Sequence, residues 1–252
     1  MLMNNILEIK NLKKNYNTID GEIEAIKDIS FNVEENEILG IVGSSGCGKS
    51  TLLSILTNLE KKTDGQITFN CNKNKIGYMM QSDALFPWLT ILDNALLGLK
   101  IKKELTKENI EYTKNLLETY GLKEFIYKYP NSLSGGMKQR VALIRTLATK
   151  PDILLLDEPF SALDFQTRLS VSEDVFNIIK NENKTTIIIS HDIGEVVSLC
   201  NRVIVLTKRP ATIKNIYTIN LEQQSSPKEN RKDKKFYTYY DIIWKDLDEH
   251  IS

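Results

Sequence analysis

The stretch Gly43-Ser44-Ser45-Gly46-Cys47-Gly48-Lys49-Ser50-Thr51 fits G-x-x-x-x-G-K-[ST] without a mismatch, and no other stretch constrains the chain as much. The apolar run Ile38–Val42 enters it as a buried strand, and Leu52, Leu53, Ile55, Leu56 and Leu59 leave it at helical spacing. A strand, a Gly-rich turn and a helix in that order make a phosphate cradle. Gly43, Gly46 and Gly48 let the backbone turn its N–H groups onto phosphate oxygens, and the helix adds the positive end of its dipole. The amides of Ser44, Ser45 and Cys47 belong to the same cradle. Lys49 would reach the β- and γ-phosphates of a nucleotide, Ser50 would place its hydroxyl on Mg²⁺, and Thr51 continues the first-turn donors. The bland alternative is a Gly-rich turn that binds nothing.

Composition narrows the company such a cradle keeps. At 252 residues the chain can bury a proper core as one large domain, or as a domain with a subdomain. Lys plus Arg and Asp plus Glu both count 33, so no overall field recommends nucleic acid or an anionic membrane as the main partner. The N-terminus Met1–Ile6 lacks the basic and apolar regions of a signal peptide, and no apolar run approaches the ~20 residues of a membrane helix. A soluble, cytoplasmic chain is expected. Cys47, Cys71 and Cys200 form no C-x-x-C pair, which fits reduced thiols. With only His191 and His250 to supply imidazole, a His-rich metal centre is excluded, and a nucleotide-bound Mg²⁺ is the expected metal.

Along the chain, short alternating runs at Leu7–Lys10 and Ile29–Val33, separated by turns around Asn17–Gly21, predict an antiparallel sheet. Tyr16 ends the first run, either as an ordinary strand tyrosine or as a ring able to stack on a base. Strands are expected at Gln66–Phe69 and Ile76–Met80, joined by a polar link from Cys71 to Lys75, with Gln81 at the end of the second. An amide there is a solvated polar group or, beside a phosphate cradle, a group that coordinates metal or orients water. Ala84–Ile91 is too apolar for a plain loop and contains Pro87, so it is a docking surface or a loop buried under the following helices. Helical spacing runs from about Leu92 to Lys128 and resumes at Val141, Leu143, Ile144 and Leu147. Between them, Ser134, Gly135 and Gly136 form a second Gly-rich helix N-terminus, an ordinary cap or an anion site.

Ile153–Leu156 reads as a strand buried on both faces, and it delivers Asp157 and Glu158. Carboxylates at a buried strand end hold a metal or do proton chemistry, unless they form a solvated acidic turn. Ser161–Asp164 links to a helix from about Thr167 to Lys180. Thr186–Ser190 is a further buried strand, ending at His191-Asp192, with one more at Val203–Leu206. Residues 222–235 read as a polar linker, and Phe236, Tyr240, Ile243, Trp244, Leu247 and Ile251 share one helical face.

With these pieces in this order, residues 6–215 closely resemble the ATP-binding subunit of ATP-binding-cassette transporters. The resemblance makes Tyr16 the adenine-stacking position, Gln81 the Q-loop residue, Leu133–Met137 the signature, and Asp157-Glu158 the Walker B pair. Ser161–Asp164 becomes the D-loop and His191 the switch histidine. Met137 after Ser-Gly-Gly, the Phe86–Thr90 segment and Arg209-Pro210 look like the nitrate, sulfonate and taurine branch of importers, which also takes in thiamine pyrimidine precursors. The link at Cys71–Lys75 is shorter than most members have, and the tail after Leu221 is less typical.

The fold so implied is α/β, a P-loop NTPase core with a mainly parallel sheet, an N-terminal antiparallel β subdomain and an inserted α-helical subdomain at about 85–148. The nucleotide-binding domain would span 1–221, followed by the linker and a C-terminal amphipathic helix over 236–252. The resemblance also implies ATP and Mg²⁺ as cofactors, with Ser50, Gln81 and Asp157 at the metal. Glu158 would be the base, His191 the γ-phosphate contact, and Ser134, Gly135 and Gly136 a clamp from a second ATP-binding subunit, with a homodimer expected. Two permease subunits and, indirectly, an extracytoplasmic solute-binding protein would be partners, at the cytoplasmic face of the membrane. Alternatives are an exporter motor, or a soluble cassette protein acting on nucleic acid or ribosomes. A single cassette, no heptad run and zero net charge weigh against the latter.

Overall fold

The computed structural model describes residues 5–19, 21–71, 76–222 and 225–248. In chain order the strands are β1 (Asn5–Thr18), β2 (Gly21–Glu34), β3 (Ile38–Val42), β4 (Asp64–Phe69), β5 (Ile76–Met79), β6 (Ile153–Asp157), β7 (Thr185–Ile189), β8 (Arg202–Leu206) and β9 (Ala211–Thr218). The helices are α1 (Lys49–Leu56), α2 (Ile91–Ala95), α3 (Leu97–Lys102), α4 (Lys107–Thr119), α5 (Gly135–Leu147), α6 (Phe165–Asn181), α7 (Ile193–Leu199), α8 (Pro227–Asn230) and α9 (Lys234–Asp248). The strands form one sheet in the order β4-β1-β2-β9-β8-β3-β7-β6-β5. From β8 to β5 every pairing is parallel, β1 pairs antiparallel with β2 and β4, and β9 joins the two regions.

The all-apolar strands are explained by cores on both faces of this sheet. Ile38 and Val42 of β3 and Leu154 and Leu156 of β6 enter one core, while Leu39, Ile41, Ile153 and Leu155 enter the other. Alternation of side chains across a strand therefore leaves no solvent face for a polar residue. Such strands end together at one edge, where β3 meets the Gly-rich loop, β6 ends at Asp157 and β7 runs into His191.

Several expectations are corrected. β1 and β2 are long strands with register shifts, not short runs, and Tyr16 lies inside β1. The helical run expected to about Lys128 is broken: Lys103 takes a left-handed φ of 58°, and the Thr106 side chain caps a fresh helix by accepting from Asn109 N. The α6 helix starts at Phe165 because Asp164 Oδ1 accepts from Gln166 N and Thr167 N, each at 3.1 Å. Strand β9 was not anticipated, although its β-branched and aromatic residues after Pro210 carried the signal.

The stretch 222–235, expected as a linker, carries α8. Its buried Asn230 donates to Ser198 O at 2.8 Å, which ties the segment to α7. The terminal helix begins at Lys234 and buries Phe236 and Ile243. Met1–Asn4, Asn72–Lys75, His250 and Ile251 lie outside the described residues.

The inserted helices hold the Gln81 loop by specific bonds. The fully buried Asn94 on α2 accepts from Phe86 N at 2.8 Å and donates to the carbonyls of Phe86, Leu89 and Thr90. Arg145 on α5 donates to Asp83 O at 2.7 Å and Ala84 O at 2.8 Å. Ala84 has a left-handed φ of 44°, and these bonds hold it there.

Candidate active site at the strand-end edge

A cavity of about 370 Å³ opens over the Gly-rich loop. Ser45, Gly46, Gly48, Lys49, Ser50 and Thr51 form its floor, and Tyr16, Ala25, Gln81, Glu158 and Arg209 complete its wall. The loop needs glycine at Gly46 and Gly48, whose φ values are 72° and 121°. Gly43 and Cys47 lie buried beneath, where a Cβ on Gly43 would stand 2.7 Å from Cys47 Sγ. The buried Lys49 ammonium donates to Gly43 O at 2.7 Å and Ser44 O at 3.0 Å, so its charge is held over the loop. A larger cavity of about 890 Å³ lies at the far end of α1, against β4 and β5, and contains none of the loop residues.

Asp157 is buried at the end of β6, and burial pushes its carboxyl above the usual carboxylate range. Hydrogen bonds from Tyr78 and Ser50 and the charge of Lys49 oppose the shift, while neighbouring Glu158 adds to it. Tyr78 OH donates to Asp157 Oδ2 at 3.1 Å, and burial followed by that carboxylate pushes the phenol up to about 12. Glu158 has a left-handed φ of 45°, a conformation costing about 1–3 kcal/mol that turns its side chain off the strand direction. Glu158 N bonds back to Ile189 O at 2.9 Å, and its carbonyl accepts from Ser161 Oγ at 3.0 Å. Gln81 Nε2 donates to Glu158 Oε2 at 3.1 Å, and His191 Nδ1 lies 3.1 Å from the same oxygen.

The sequence candidates thus divide. The Gly-rich loop, Gln81, Asp157, Glu158 and His191 come together, and Tyr16 joins the cavity wall with Lys14 Nζ 4.3 Å from its ring centroid. Ser134, Gly135 and Gly136 do not line this cavity. Ser134 caps α5, its Oγ accepting from Met137 N at 3.4 Å, and Ser134 and Gly135 are exposed. Gly136 is buried, and a Cβ there would meet Val171 Cγ2 at 2.6 Å, so close packing on α6 demands glycine.

Two residues were missed as site residues. Tyr78 could have been found from its place two residues inside the strand that ends before Gln81, and Arg209 from following β8 at the same edge.

A family model described as ABC transporter matches residues 26–161, over half of the chain. This chain belongs to the ABC transporter family. Among its relatives is the ABC transporter ATP-binding protein YtlC of Bacillus subtilis, 42% identical, with 96% of this chain and 95% of that protein covered. The nitrate import ATP-binding protein NrtD of Synechocystis is 38% identical over 94% of this chain and 93% of its own. The aliphatic sulfonates import ATP-binding protein SsuB of Bacillus thuringiensis is 36% identical over 85% and 86%. Among solved structures, the ABC transporter cassette MJ0796, a dimer, superposes with a TM-score of 0.72 at 31% identity, covering 85% of this chain and 99% of that one. The same cassette is also known as a post-hydrolysis dimer bound to ADP and Pi. The ABC chain is accordingly an ATP-binding subunit and an ATPase, built on the P-loop α/β fold, and no helix among its described residues is long and apolar enough to cross a membrane.

Proposed function

We propose that this ABC ATPase is the motor of an importer of a small solute of the nitrate, sulfonate or taurine kind, working as two copies docked on membrane subunits at the cytoplasmic face. The relatives named for nitrate and sulfonate import support the solute class. The observation that carries the two-copy reading is the division of the motifs. The cavity holds Lys49, Ser50, Gln81 and Glu158, while Ser134 and Gly135 lie exposed at the start of α5, apart from that cavity and open to phosphates held by another molecule.

In this mechanism the loop amides and Lys49 bind the ATP phosphates, and Tyr16 stacks on the base. The Ser134–Gly136 turn of the second copy closes on the γ-phosphate. Glu158 accepts a proton from water as its oxygen attacks the γ-phosphorus and the bond to the β-phosphate oxygen breaks, leaving ADP and phosphate. With Nδ1 of His191 against Glu158, its Nε2 is left to meet the γ-phosphate.

The donor set fits Mg²⁺: Ser50 bonds Asp157, and these with Gln81 offer hard oxygen ligands. Ser50, Gln81 and Asp157 would hold the ion, which would supply positive charge against the charge developing on the phosphates. The exposed Trp88 and Phe86, with ring centroids 5.2 Å apart, form the docking surface for the membrane subunit.

Glu158→Gln keeps shape but removes the proton acceptor, so turnover should fall about 10²-fold or more while ATP binding persists. The variant should accumulate as an ATP-bound dimer in size-exclusion chromatography, whereas Lys49→Ala should stay monomeric. Hydrolysis by Glu158→Gln at the unmodified rate would remove Glu158 from the role of base.

A further inference from the structure

Helix α9 turns one face to the body of the chain and leaves another open. Phe236 and Ile243 are buried, while Tyr237 and Trp244, on an adjoining stripe, are 64% and 50% exposed. The Tyr240 and Trp244 rings stack with centroids 6.3 Å apart and planes at 11°. They wall a cleft of about 280 Å³ whose opposite side is His191, Asp192 and Ile193. His191 also touches Glu158, so the open aromatic face continues directly from the catalytic edge.

We propose that the Tyr237–Trp244 face of α9 docks on a second copy of this chain and extends the interface that ATP closes. The inference rests on the two-copy reading above and adds a surface to it. Continuity with the catalytic edge argues for that occupant, because any molecule covering His191 from outside also comes to lie over Trp244. Charges of both signs edge the stripe. The exposed Lys234 opens the helix, and the exposed Asp241, Lys245 and Asp248 follow along its open side. A two-fold axis perpendicular to the helix sets two such helices antiparallel and lays the aromatic stripe of each against the other. An aromatic stripe between those charges then becomes the dry centre of the contact.

Trp244 itself reports the outcome. The chain has two tryptophans, so Trp88→Phe leaves Trp244 as the only one, and Glu158→Gln in the same full-length chain retains ATP. Sedimentation follows dimer formation on adding ATP and Mg²⁺ across a range of protein concentrations, while emission and acrylamide quenching follow Trp244. As the dimer forms, emission should shift to the blue and quenching should fall, with the same dependence on protein concentration. A dimer in which Trp244 stays as accessible as in the monomer overturns the docking surface and leaves the two-copy site standing. If no dimer forms at all, both fall. Adding Trp244→Ala should raise the dimer dissociation constant about tenfold or more. An unchanged constant also overturns the proposal, and no membrane subunit is present to confuse it.

Discussion

At the Gly-rich loop each charged motif group is held by its own chain, whereas the Ser134–Gly136 turn is held by its chain only from behind. Lys49 lies on two loop carbonyls, Asp157 takes bonds from Tyr78 and Ser50, and Glu158 receives Gln81 beside His191. On α5, by contrast, Gly136 packs tightly on α6 while Ser134 and Gly135 stay exposed. The first region is preorganised, so its groups need little reordering when phosphates arrive. The second is a rigid, unfinished surface. On the two-copy reading, the motor would do its work by joining the two regions, and whatever moves α5 would control when that happens.

The largest effect on this comparison should come from cutting the link between them. Arg145 sits on α5 and binds the carbonyls of Asp83 and Ala84, just after Gln81. Burial pulls its guanidinium pKa down, so the charge is kept by those contacts rather than by water. Arg145→Met keeps the stem but removes both bonds, each worth about 1.5–3 kcal/mol as hydrogen bonds to a charged group. Thermal unfolding should show a loss of roughly 2 kcal/mol or more, and amide exchange should rise in residues 82–90. Unchanged exchange in that loop would mean that Asn94 alone fixes it and that α5 is not tied to it.

A smaller effect is expected at the outer end of the same loop. Trp88 is 70% exposed, on a segment that Asn94 fixes from inside. Trp88→Ala should weaken binding to the membrane subunit by about 2 kcal/mol, roughly thirtyfold, and lower ATP-driven uptake with ATP affinity unaltered. Full uptake by the reconstituted variant would take the docking role away from this surface.

The difference between the two regions also decides how much could be read in advance. The loop Gly43–Thr51 and the run Ile153–Glu158 are local patterns: a continuous apolar strand followed by glycine or carboxylate has few alternatives in an α/β sheet. Their convergence follows from parallel strands ending at one edge. What stayed hidden depends on distant pairing. Strand β9 carries a local strand signal, but its place as the link between the two parts of the sheet is set by β8 and β2, which flank it. Residues 222–235 look like a linker by composition, yet Asn230 and Arg231 are drawn in by α7. There Arg231 lies near the Asp192 and Glu195 carboxylates, and the tip of its guanidinium would stand 2.9 Å from a Cβ on Gly194. Polar residues that satisfy a buried partner leave no trace in hydropathy.

The smallest effect belongs to Arg209, on the cavity wall. It is exposed in the loop between β8 and β9, and it shares the cavity with Tyr16 and the Gly-rich loop. An exposed guanidinium facing a polyanion contributes about 0.5–1 kcal/mol, so Arg209→Ala should raise the ATP dissociation constant about two- to fivefold. The loss should shrink in roughly 0.5 M salt, since screening already weakens the contact there. Turnover at saturating ATP should not change, because the residue contacts substrate equally in the ground and transition states. A tenfold fall in turnover, with the dissociation constant unmoved, would instead draw Arg209 into the chemistry and make the wall of the cavity as much a part of catalysis as its floor.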